Sequence, residues 1–112
     1  MIELLIAGFD ASLVDFMPDT YWVQHGGADV RAFVEALAGR IKILHLKDMN
    51  RSADGPTFSE IGVGNINFAG IIDVANKIGV PHFIVEQDKC DTDSLLSAKM
   101  SYDYLTTNIF KR

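Results

Sequence analysis

The sequence predicts an α/β fold of parallel strands joined by helical crossovers, and three observations carry that prediction. Short apolar runs rich in β-branched and aromatic residues recur at Val14 to Met17, Ile41 to Leu46 and Phe83 to Val85. Each run ends in ionisable residues, and the intervening stretches have helical period. No hairpin signal separates one strand from the next, so the connections are read as right-handed crossovers between parallel strands.

Taken in order, a short helix near Ile2 to Ala7 precedes the first strand. Asp29 is placed to cap the next helix, whose apolar stripe is Val30, Phe33, Val34 and Leu37, with Gly39 at its end. After the strand at Ile41 to Leu46, the segment Gly62-Val-Gly-Asn-Ile-Asn follows no strand and lacks the third glycine of a dinucleotide loop. It is read as a turn into a helix that Asn67 opens. That helix turns Phe68, Ile71, Ile72, Ala75 and Ile78 inward and stops at Gly79, ahead of Pro81. Thr92 or Asp93 opens the last helix, where Leu95, Ala98, Tyr102, Leu105 and Ile109 repeat with helical period.

At 112 residues the chain is one domain, residues 1–112. A complete eight-stranded β/α barrel needs about 250 residues, so three units leave the sheet edges open. Open edges and uncovered apolar surface predict either self-association into a homo-oligomer or pairing with a missing half of the barrel. A helix directly after Met1, where a strand would open a unit, favours a cut inside a barrel.

Hydrophobic residues make up 48% of the chain, enough for a folded core. The net charge of -5 disfavours nucleic acid and anionic lipid as partners. No apolar run approaches the roughly 20 residues of a membrane span, and the N-terminus lacks the layout of a signal peptide. The single cysteine, Cys90, has no internal disulfide partner and no neighbouring histidine to activate it. These features predict a cytoplasmic protein with no membrane partner.

Alternation along a strand puts Ile41, Ile43, His45 and Lys47 on one face. Ile84, Glu86 and Asp88 share a face in the last strand, and Asp15, Met17 and Asp19 in the first. Asp19, His45 and Glu86 thus stand at three successive strand ends, where parallel α/β folds gather their chemistry. Two carboxylates and an imidazole suit Mn²⁺, Mg²⁺, Co²⁺ or Zn²⁺. Strands also end in polar residues simply because they end at the surface, and spacing alone leaves both readings open.

Four segments carry a resemblance: DTYWVQHGG at Asp19 to Gly27, GRIKILHLKD at Gly39 to Asp48, FSEIGVGNINF at Phe58 to Phe68, and HFIVEQD at His82 to Asp88. They resemble, in order and spacing, the C-terminal half of the xylose-isomerase-like TIM-barrel family of sugar phosphate isomerases and epimerases. The resemblance implies an incomplete barrel of about strands six to eight. It places a divalent metal on Asp19, His45 and Glu86, with Glu86 also the catalytic base. The family's fifth-strand Glu, a fourth ligand and second base, has no counterpart here. Weak metal binding, with the site left unfilled, and little activity of the isolated chain are therefore expected.

Further site residues follow from the same resemblance. Trp22 either stacks on a sugar face or packs at the barrel mouth. Arg51 matches a substrate-oxygen contact in epimerases. Lys47 either stabilises an enolate oxygen or pairs with Asp19 or Asp48. His25, in the loop after the first strand, is a substrate contact or a solvated histidine, and His82 lies at the strand end remote from the site. The implied reaction is proton abstraction next to the carbonyl of a small sugar or keto-inositol, through an enediolate. The alternatives are a catalytically inactive, self-associating half-barrel, an inosose-type dehydratase on the same barrel, and a DNA-repair endonuclease, which the acidic balance weakens.

Overall fold

In the computed structural model, which describes residues 2–110, the elements follow one another as a strand-and-helix chain with one insertion. Helices α1 (Ile2–Gly8), α2 (Thr20–His25) and α3 (Val30–Ala36) precede β1 (Ile43–Leu46). A hairpin of β2 (Asp48–Ser52) and β3 (Gly55–Ser59) leads to α4 (Phe68–Lys77), β4 (His82–Val85) and α5 (Ser94–Tyr104). A π-helical turn, Leu105–Ile109, continues α5.

Side-chain caps set the helix starts. Asp29 accepts from the Ala32 N–H, Asn67 from the Gly70 N–H, and Asp93 from the N–H groups of Leu95 and Leu96. Each satisfies donors that the first helical turn leaves unpaired. These are the caps the sequence marks. Gly39 and Gly79, at φ of 80° and 78°, turn the chain out of α3 and α4.

β1 and β4 pair in parallel, from Ile43 opposite His82 to Leu46 opposite Val85. Val14 to Met17 does not form the expected strand. The segment keeps the parallel direction, but only two single bridges join it to β1, Phe16 with Ile41 and Asp19 with His45. Pro18 has no N–H for a ladder, and the Val14 carbonyl is taken by the Arg40 guanidinium at 3.0 Å. The order is nonetheless the expected one, with β1 between this segment and β4.

The expectation of no hairpin is overturned by β2 and β3, an antiparallel pair running from Asp48 opposite Ser59 to Ser52 opposite Gly55. Asp54-Gly55 is a turn signal, and Gly55 takes a φ of 124°. The strands escape the apolar pattern because they project into water; only Asp48, Met49 and Ser59, at the base, are buried.

The core lies between the sheet and its helices. Val30, Val34 and Leu37 join Ile71, Ile72, Val74 and Ala75 in one buried cluster with Leu44 and Leu46 of β1. Leu44 and Leu46 are fully buried, whereas Ile43 and His45, on the other face, are half-buried. Ile84 and Val85 on β4 stay 44% and 40% exposed, so the sheet is open on that side. The described residues do not close a barrel.

The stripe expected along the last helix holds only at its C-terminal end, where Leu105 is buried and Ile109 packs against the core. Leu95, Ala98 and Tyr102 are exposed; Ser97, Ser101 and Leu105 are buried. Polar bonds set this rotation. The Ser97 hydroxyl donates to Glu60 Oε1 at 2.6 Å, and the Ser101 hydroxyl accepts from the Ile61 N–H at 3.0 Å. No helix among the described residues is long and apolar enough to cross a membrane.

Candidate metal centre

Backbone pairing brings three distant side chains to one level. The His45 N–H donates to the Pro18 carbonyl at 2.9 Å, and the Glu86 N–H to the Leu46 carbonyl at 3.0 Å. Thr20 reinforces the first junction: its hydroxyl donates to the Lys47 carbonyl at 2.8 Å and accepts from the Lys47 N–H at 2.9 Å. Asp19, His45 and Glu86 consequently converge, with one ligand atom from each lying within 4.8 Å of the others. His45 Nδ1 contacts Glu86 Oε2 directly.

Lys47 sits under this triad with its side chain 2% exposed. Its ammonium is 2.9 Å from Asp19 Oδ2, 3.0 Å from Asp88 Oδ2 and 3.3 Å from Glu86 Oε1. Burial works against the charge, but the three carboxylates outweigh it and hold the Lys47 pKa above the ordinary lysine value. Of the two pairings foreseen for Lys47, that with Asp19 forms. Asp48 is engaged elsewhere.

Asp48 is fully buried, and its carboxylate accepts from four backbone N–H groups. Oδ1 takes Met49 at 2.7 Å and Ile66 at 3.1 Å; Oδ2 takes Gly62 at 2.9 Å and Gly64 at 3.0 Å. Burial pushes this carboxyl up, and the four N–H groups pull it back in part. Asp48 thereby ties the turn after β3 to the strand end that carries His45 and Lys47. A Cβ at Gly64 would collide with the Met49 carbonyl and the Asp48 carboxylate, so only glycine fits there.

The remaining expected residues divide. Trp22 is close to the triad: its backbone N–H donates to Asp19 Oδ1 at 3.1 Å, and the residue is 50% exposed. His25 belongs to α2 rather than to a loop; its ring lies 5.6 Å from that of Tyr21 and 5.3 Å from that of Trp22. Arg51 is exposed on β2, opposite Pro56 in the hairpin, and has no side-chain bond to the triad.

Three residues of the site were not among those the sequence marked for it. Asp88 shares a face with Glu86, and that alternation was its signal. Phe58 arrives with the unforeseen hairpin: its ring centroid is 4.6 Å from that of Tyr21, 6.2 Å from that of Trp22 and 5.8 Å from the Lys47 ammonium. Asp48 gave no signal beyond adjacency to Lys47. Beside Asp19 and Trp22 lies an apolar cavity of about 380 Å³, lined also by Phe16, Pro18, Val23 and Phe33.

The donor set fits a divalent cation. Two carboxylates and an imidazole from three separate segments suit hard to borderline ions. The formal charges of Asp19, Glu86 and Asp88 exceed that of Lys47 by two, which a divalent ion would balance.

No protein-family model matches the chain. No curated protein matches it either. Solved structures do. A sugar phosphate isomerase/epimerase from Parabacteroides distasonis superposes with a TM-score of 0.75 at 28% identity, over 93% of this chain and 34% of its own. A second sugar phosphate isomerase/epimerase structure from the same organism gives a TM-score of 0.80 at 26% identity, over 99% of this chain and 37% of its own. The chain therefore has the fold of part of a xylose-isomerase-like TIM barrel, spanning about a third of the length of the sugar phosphate isomerases/epimerases it matches.

Proposed function

We propose that the chain is the metal-binding part of a divalent-metal-dependent sugar or sugar phosphate isomerase/epimerase, acting by proton abstraction next to a carbonyl. The convergence of Asp19, His45 and Glu86 within 4.8 Å is the observation that carries this reading. The likeness to two sugar phosphate isomerases/epimerases supports the reaction class. Asp19, His45 and Glu86 would hold the ion, with Mn²⁺, Mg²⁺, Co²⁺ and Zn²⁺ all compatible with the donors.

When bound, the ion supplies Lewis-acid stabilisation of the negative charge that develops on an enediolate. Glu86, with 38% of its side chain exposed, is the base that takes the proton from carbon. Trp22, His25 and Phe58 offer ring faces for the apolar side of a sugar or keto-inositol. Lys47 holds Glu86 and Asp19 in place before an ion arrives. Arg51, on the hairpin, is a contact for substrate oxygens. The Glu that the family resemblance makes the second base has no counterpart among the described residues, so one-face proton exchange is expected without net epimerisation.

Incubation with Mn²⁺ and a ketose in D₂O tests this reading. Slow deuterium incorporation next to the carbonyl, lost in Glu86→Gln, is the expected result. No incorporation by the unmodified chain, or incorporation unchanged in Glu86→Gln, would contradict it.

A second reading, a self-associating half-barrel without catalysis, draws on one observation. Ile84 and Val85 expose apolar side chains on β4, at the open side of the sheet.

A further inference from the structure

If Asp19, His45 and Glu86 hold an ion, as proposed above, that ion must enter a site that already contains a cation. Lys47 is the only cationic side chain among the described residues that is both buried and ringed by carboxylates. Two of its three partners, Asp19 and Glu86, are also two of the three candidate ligands. The oxygens are divided with little to spare. Asp19 gives Oδ1 to the Trp22 N–H and Oδ2 to Lys47. Glu86 gives Oε1 to Lys47 and Oε2 to His45. Asp88 is bound to Lys47 and lies outside the ligand cluster.

We propose that Lys47 is a built-in counter-cation that holds Asp19 and Glu86 when no metal is bound, that a divalent ion competes with it for both, and that Asp88 retains it once they are taken. Without a cation, carboxylates this close repel one another, and the ammonium at 2.9 to 3.3 Å relieves that repulsion. An entering ion meets the same ammonium as a like charge and must weaken its hold on both ligands. Lys47 is thus a positioning residue. It stabilises the metal-free site and, for the same electrostatic reason, lowers the affinity for metal. Asp88 lowers the cost of the exchange, because a displaced buried ammonium with no partner would be expensive.

Calorimetric titration of the chain and of Lys47→Met with Mn²⁺ tests the competition. Lys47→Met is expected to bind Mn²⁺ about tenfold more tightly, to melt lower without metal, and to gain more from Mn²⁺ in melting temperature. Equal or weaker binding by Lys47→Met overturns the inference and leaves the metal reading standing. No saturable binding by either protein removes both.

Should Lys47→Met fail to fold, the unmodified chain still decides the matter. Its Lys47 ammonium resonance, followed by ¹⁵N NMR during titration with diamagnetic Zn²⁺, is expected to shift as Asp19 and Glu86 are surrendered. A resonance unmoved at saturating Zn²⁺ overturns the inference.

Discussion

Thr20 and Lys47 are joined by two hydrogen bonds through a single hydroxyl, which donates to the Lys47 carbonyl and accepts from the Lys47 N–H. Both groups are buried. The bonds fix the first turn of α2 against the end of β1, and so fix Asp19 against His45 and Lys47. Thr20→Val keeps the shape and removes both bonds, leaving a buried N–H and a buried carbonyl unpaired. A loss of about 3 kcal/mol in stability is expected from denaturant unfolding, with weaker Mn²⁺ binding beside it.

Asp48 organises the turn between β3 and α4 through four backbone donors. In Asp48→Asn one oxygen becomes an NH₂ group that faces N–H donors rather than accepting from them. Chemical denaturation should show a loss of about 3 kcal/mol, with hydrogen exchange at Gly62, Gly64 and Ile66 accelerated. Gly64→Ala should be comparably destabilising, since its Cβ meets the Met49 carbonyl and the Asp48 carboxylate, which its four backbone donors hold in place.

Glu60 links the end of β3 to α5. The Ser97 hydroxyl, a backbone N–H and the Gln87 amide hold its carboxyl below the ordinary value of 4.5. A carboxyl depressed in the folded state binds fewer protons there than in the unfolded chain. Its stabilisation is present above pH 4.5 and is lost as the pH falls through the folded value. The melting temperature of Glu60→Gln should therefore lie below that of the unmodified chain at neutral pH, and the gap should narrow on acidification.

The exposed apolar side of β4 predicts association at micromolar concentration. Light scattering should report a species larger than the monomer, and Val85→Lys should return it toward the monomer without unfolding it. A monomer before and after the substitution would argue against the self-associating reading.

The order of parallel segments was legible because both strands carry short runs of β-branched and aromatic residues, although only Leu44 and Leu46 of β1 are fully buried and β4 is largely exposed. The caps Asp29, Asn67 and Asp93 were legible because capping is local chemistry. Val14 to Met17 misled: its composition suits a strand, but Pro18 and the Arg40 guanidinium remove the partners a ladder needs. The hairpin was hidden by its polarity, and Phe58 with it. The face of α5 was misread because Ser97 and Ser101, not Leu95 and Tyr102, meet hydrogen-bond partners in the core.

At the centre, alternation placed Asp19, His45 and Glu86 at successive strand ends but left a surface reading open, and only the family resemblance picked them out as ligands. The Lys47 cage was not, since sequence gives no measure of how closely Asp88 approaches. Asp19 also has a second role, as the cap of α2. Asp19→Ala would therefore lose helix stability of about 1 kcal/mol along with any metal affinity, and it separates the two poorly.

His45 caps nothing, so His45→Ala isolates the metal question. Isothermal titration of both proteins with Mn²⁺ is the most direct test of the centre. Weak but saturable binding of one ion per chain is expected, abolished in His45→Ala while that variant remains folded. No saturable binding by the unmodified chain, or the same binding by His45→Ala, would contradict it.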